Sequence, residues 1–178
     1  MAALLKDLFV WHTHSYTNEG IRFADTKAAA VVAWCSGLIA VLFAAKAHRR
    51  FMDVSPTLTN IMWGETILGA TSLLAFLLLA AAVLCAFLAI VPRLWSREGA
   101  AGHIPGYIYW EVVRPHPSPA AYKTEVLTQN QETLLGHVVE HIYVLAGIAK
   151  KKYYWVSRSL WVAAIGSLFA GVVSLFSP

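Results

Sequence analysis

Three stretches of the chain carry apolar side chains on every face: Ala28 to Ala45, Ile67 to Val91 and Ser159 to Phe176. No Asp, Glu, Lys or Arg occurs between Glu65 and Arg93, and none occurs after Arg158. A charged side chain at the centre of a bilayer costs roughly 2.5–3.5 kcal/mol on insertion scales, so charge-free runs of this length are what hydrocarbon selects. About 20 residues of helix cross the hydrocarbon layer. The middle run exceeds that length and can tilt, while the outer two are near the minimum and place their flanking aromatic and basic residues at the headgroups. A soluble helix needs a polar face, and Leu73 to Val91 has none. The pattern predicts an all-α integral membrane protein with three transmembrane helices, a cytoplasmic helical extension and one short extended segment.

Between the spans the pattern changes. In residues 1 to 27, Leu5, Leu8, His12, Tyr16 and Phe23 recur at roughly helical spacing. That predicts a cytoplasmic N-terminal helix entering the first span (28–45), with Gly20 as a weak point. Its polar residues, among them Asp7, His14 and Glu19, are unlike a cleavable signal. Residues 46–66, with Ser55-Pro56, read as an external loop before the second span (67–91). Residues 92–158 form a cytoplasmic region, and residues 159–176 the third span. Within that region Tyr107 to Val113 is β-branched and aromatic between Gly and Pro residues, the signature of an extended segment. Ser118-Pro119 supplies a capping hydroxyl followed by Pro at the first helical position. The stripe Val126, Leu127, Leu134, Val138, Ile142, Leu145 and Ala149 then continues at 3.6 spacing. A nearly continuous helix from Pro119 to Phe176 is expected. Its apolar cytoplasmic face needs a partner, either residues 1 to 26 or a second subunit. Small residues in helix one (Cys35, Ser36, Gly37) and helix three (Gly166, Ser167, Ala170, Gly171) are candidate association faces.

Composition sharpens this picture: the 178 residues are 58% hydrophobic and 13% charged, against about 25% charged in soluble domains. Orientation follows from Lys and Arg. Lys6, Arg22, Lys27, Arg93, Arg97, Arg114, Lys123, Lys150, Lys151, Lys152 and Arg158 fall on one side, and Lys46, Arg49 and Arg50 on the other. The positive-inside rule places the N-terminus in the cytoplasm and the C-terminus outside. The net charge of +4 is modest and clusters beside the spans, which suits lipid headgroups better than nucleic acid. Cys35 and Cys85 lie inside apolar helices and read as packing residues, with neither a disulfide framework nor a metal site.

Candidate chemistry is sparse. His137-Val-Val-Glu140-His141 spells an inverted zinc-peptidase pattern, but no carboxylate follows Glu140 to complete a ligand set. Asp25-Thr26-Lys27 enters lipid with Arg22 one turn earlier. These four residues are interfacial anchors or, given their depth, gating groups. Lys150-Lys151-Lys152 with Tyr153-Tyr154-Trp155 is a basic-aromatic belt: an interface anchor, or a contact for a nucleotide phosphate. With no Gly-rich phosphate loop, nucleophile elbow or paired catalytic carboxylates, enzymatic activity is not expected, and no cofactor is called for.

The entry Arg22-Phe-Ala-Asp25-Thr26-Lys27-Ala28 resembles the start of the Pycsar effector transmembrane family. Tyr107-Ile-Tyr-Trp110, Ser118-Pro-Ala-Ala-Tyr122 and His141-Ile-Tyr-Val-Leu-Ala-Gly-Ile-Ala149-Lys-Lys-Lys152-Tyr153 are similar to the rest of its pattern, in order, from about Ile21 onward. Trp110 stands where that pattern has a Phe-like aromatic. The resemblance implies an inner-membrane antiphage effector. It would respond to cyclic CMP or cyclic UMP made by a nucleotide cyclase, act as a homo-oligomer, impair the membrane and stop growth of the infected cell. On that reading Tyr107, Tyr109 or Trp110 stacks on a base while Lys150, Lys151 or Lys152 neutralises its phosphate. Two other readings stay open: a small transporter or channel subunit, and a constitutive membrane anchor whose cytoplasmic helix docks a partner.

Overall fold

The structure, a computed structural model, describes residues 2–49, 63–91 and 113–176. Four helices account for almost all of it: α1 Ala2–Ala44, α2 Trp63–Ile90, α3 Pro119–Thr128 and α4 Gln131–Leu175. No strand occurs among the described residues. Of the segment Tyr107 to Val113, expected to be extended, all but Val113 lies outside them, as do Tyr107, Tyr109 and Trp110 as candidate contacts. Helices α1, α2 and α4 each contain a stretch long and apolar enough to cross a membrane. Gly20 does not interrupt α1.

The chain divides into two compact units. The span unit comprises Ala24–Val91 and Lys152–Pro178. Its buried positions follow one rule. In α1 they are Ala24, Ala28, Val31, Cys35 and Leu42. In α2 they are Gly69, Ser72, Ala75, Leu79, Ala82, Ala86 and Ala89. In α4 they are Val156, Ser159, Ala163, Gly166, Ala170 and Val173. Successive members of each set are three or four residues apart or a whole heptad, a 3.5-residue period that keeps one seam of each helix facing its neighbours. Most of these residues are small. Lipid is as apolar as Leu, so the helices gain no hydrophobic energy by associating, and close backbone approach and van der Waals contact hold them instead. Gly166 shows how close: a Cβ built there would lie 3.2 Å from Leu78 Cβ and 3.2 Å from Leu79 Cδ2. Gly171, Gly37 and Ser36 are exposed, so only part of each small-residue face named from the sequence is in the seam.

Most hydroxyls in the spans find partners within the protein, as hydrocarbon favours. Ser72 Oγ donates to the Ala47 carbonyl at 3.0 Å and Ser159 Oγ to Val156 O at 2.8 Å. Thr71 and Ser174 donate to carbonyls one turn back. Trp34 Nε1 donates to Ser167 Oγ at 3.0 Å, and that hydroxyl donates onward to Ala163 O at 2.7 Å. Helix α1 ends in a paired cap: Lys46 N donates to Phe43 O and Ala47 N to Leu42 O. Lys46 holds the left-handed conformation there, at φ 53°, where Gly is usual.

The polar unit comprises Met1–Phe23 and Pro92–Lys151. Here the expected continuous helix from Pro119 to Phe176 is corrected. It is broken between α3 and α4, where Gln129 is extended at φ −79°, ψ 148°. Asn130 causes the restart, its Oδ1 accepting from Thr133 N at 2.7 Å, a helix N-cap. The break resets the helical register, so Leu127 is 71% exposed although the stripe counted it as interior, while Val138 and Leu145 on α4 are buried. Residues 1 to 26 do serve as a partner for that face. Gln131 Nε2 donates to Asp7 Oδ2 at 2.7 Å, His14 meets His141, and Val10 is buried. The start of α3 is as the sequence implies, Ser118 Oγ accepting from Ala121 N at 3.1 Å.

Candidate functional site

Two sets of candidate residues, the gating group Arg22, Asp25, Thr26 and Lys27 and the basic run Lys150, Lys151 and Lys152, meet at one contact. Within the span unit, Lys152 Nζ donates to Asp25 Oδ1 in an ion pair between α4 and α1. Their positions explain the meeting. Asp25 stands three residues before the first apolar run and Lys152 seven before the third. Two helices that enter the membrane from the same side bring those residues to similar depth. The two partners are 127 residues apart in the chain.

Burial sets the weight of this pair. The Lys152 side chain is 14% exposed and that of Asp25 40%. An ammonium that far from water is costly alone, and the carboxylate compensates it. Lys150 and Lys151 are exposed. The structure therefore distinguishes Lys152 from its neighbours by burial. Beyond the pair, Tyr154 stacks edge-on to Trp155 at 5.4 Å, and the Arg158 guanidinium lies over the Tyr154 ring at 4.6 Å. That arrangement suits a membrane interface, where an aromatic body is apolar and its edge polar.

The zinc-like pattern resolves into a local contact, His137 Nδ1 to Glu140 Oε2 at 3.5 Å. Among the described residues no three His, Cys, Asp or Glu side chains are grouped to hold a metal ion. The profile of the Pycsar effector protein domain matches residues 9–177, which takes in both units and the Asp25–Lys152 pair. The chain belongs to the Pycsar effector family. It is also similar to the Pycsar effector protein SaPycTM of Staphylococcus aureus, with 27% identity over 161 residues that make up 90% of this chain and 89% of that protein. No solved structure matches. The Pycsar effector assignment and the three candidate spans together make this a membrane protein.

Sequence reasoning named both partners of the central ion pair but missed that they pair with each other. The available signal was their charge complementarity at two same-side span entrances. The contact between His14 and His141 gave no such signal, because α1 offers two histidines, His12 and His14, and α4 another two.

Proposed function

We propose that this chain is the inner-membrane effector of a bacterial antiphage system. It senses a cyclic pyrimidine nucleotide, cyclic CMP or cyclic UMP from a partner cyclase, and impairs membrane integrity, so that the infected cell stops growing or dies. The N-terminus and the polar unit lie in the cytoplasm, where the messenger is made. The observation that carries this reading is the family match over residues 9–177, which includes the charged residues beside the spans as well as the spans themselves.

The interior of the spans supports a disruptive rather than a constitutive conducting role. A selective pore lines its path with polar or ionisable groups. Here Thr71, Ser159, Ser167 and Ser174 donate to carbonyls of their own helices, and Ser72 to the Ala47 carbonyl in the turn after α1. Messenger binding acts by shifting a population between two packings. The Asp25–Lys152 pair is the proposed hold on the resting one. The messenger phosphate draws Lys152, Lys151 or Lys150, Tyr107, Tyr109 or Trp110 stacks on the base, and loss of the Lys152 contact loosens α1 from α4 within the spans. Homo-oligomers of the loosened form then disorder the bilayer.

A titration of the detergent-solubilised protein with cyclic CMP, UMP, AMP and GMP tests the sensing step. Saturable binding of one pyrimidine messenger, weakened by Lys152→Gln, is expected. Binding of none of the four removes the proposal.

A further inference from the structure

The proposed function makes no use of a contact between two histidine rings, one on α1 and one on α4, within the polar unit. His14 on α1 and His141 on α4 lie with centroids 5.5 Å apart and planes tilted by 33°, both half-buried. Trp11 meets His14 edge-on at 5.9 Å. Asn18 Nδ2 lies 3.3 Å from His14 Nε2 and 3.4 Å from its Nδ1. The nearby carboxylates are engaged or turned to solvent. On α4, Glu140 reaches toward His137. On α1, Asp7 accepts from Gln131, and Glu19 is exposed.

We propose that the His14–His141 contact is an acid-sensitive latch, joining α1 to α4 within the polar unit while the rings are neutral and releasing them when both are protonated. Two imidazolium rings at that separation repel. Burial lowers the proton affinity of His141 from its ordinary value of 6.5, and His14 lowers it further. A ring that binds its proton more weakly when folded makes the unfolded form the better proton acceptor. The latch is at full strength above 6.5 and weakens as pH falls from there toward the lowered folded value.

Amide hydrogen exchange on the full-length protein in lipid nanodiscs tests this, with no nucleotide and no leak readout. Residues 8–18 and 134–145 are followed at about pH 7.5 and about pH 5.5, corrected for intrinsic exchange. Protection of both segments in the wild type is expected to fall several-fold on acidification, while residues 72–89 keep theirs. In His141→Gln the fall shrinks to less than about twofold, and in His14→Gln it shrinks in part, since the repulsion is gone while burial still opposes the charge on His141. A wild type whose protection does not change with pH overturns the latch, whatever the variants do. So does an undiminished fall in both variants.

Discussion

Removing one partner of the Asp25–Lys152 pair gives the sharpest perturbation. Exposed ion pairs contribute about 0.2–1 kcal/mol, whereas stranding one charge of a buried pair costs about 3–5 kcal/mol. Lys152 is 14% exposed and Asp25 40%, so this pair sits between those limits. Asp25→Asn leaves the better-buried ammonium without its carboxylate, a loss of about 2 kcal/mol, or about a 30-fold shift toward separated spans. Lys152→Gln strands the more exposed carboxylate and costs about 1 kcal/mol, or about fivefold. Purified variants in dye-loaded vesicles read this out as leakage without any messenger. Asp25→Asn should leak most, Lys152→Gln less, and the charge swap Asp25→Lys with Lys152→Asp should leak less than either Asp25→Lys or Lys152→Asp alone. Basal leakage equal to wild type in both neutralising variants, at equal protein density, would refute the hold assigned to the pair, and so would a swap no tighter than its component charge reversals.

Three further outcomes follow from the packing. Gly166→Leu forces atoms into the 3.2 Å approach to Leu78 and Leu79 and should cost about 1–3 kcal/mol in detergent unfolding. Gly171→Leu, with open space at its Cβ, should be near neutral there. Lys46→Gly removes a side chain from a φ of 53° and should stabilise the end of α1 by up to about 1 kcal/mol in the same assay, the strain relieved exceeding the added chain entropy. Asn130→Ala removes the cap of α4 and should cost about 1 kcal/mol, seen as faster amide exchange in residues 131–136.

The spans were legible because hydrocarbon imposes one stringent rule, and Leu73 to Val91 satisfies it without ambiguity. The seam was present in the sequence as well. Ala75, Ala82 and Ala89 are spaced by seven, as are Ala28, Cys35 and Leu42, and Val156, Ala163 and Ala170. It is inconspicuous because the repeat is carried by Ala, Cys, Val and Leu rather than by paired glycines. The break at Gln129 was hidden because neither Gln nor Asn is a strong breaker. Asn130 ends one helix by capping the next, and capping competes with helix continuation only through a single side-chain hydrogen bond. The ion pair was half legible: charge and depth of each residue were readable, but partner choice depended on the lateral arrangement of α1 and α4, which local periodicity does not encode.

Leakage from vesicles carrying the wild-type protein, before and after cyclic CMP or cyclic UMP is added, tests the central claim most directly. The account expects tight vesicles at rest and rapid dye release with one of the two pyrimidine messengers, at concentrations where cyclic AMP and cyclic GMP release little. Vesicles that stay sealed under saturating amounts of both, with the protein shown to be inserted, contradict it.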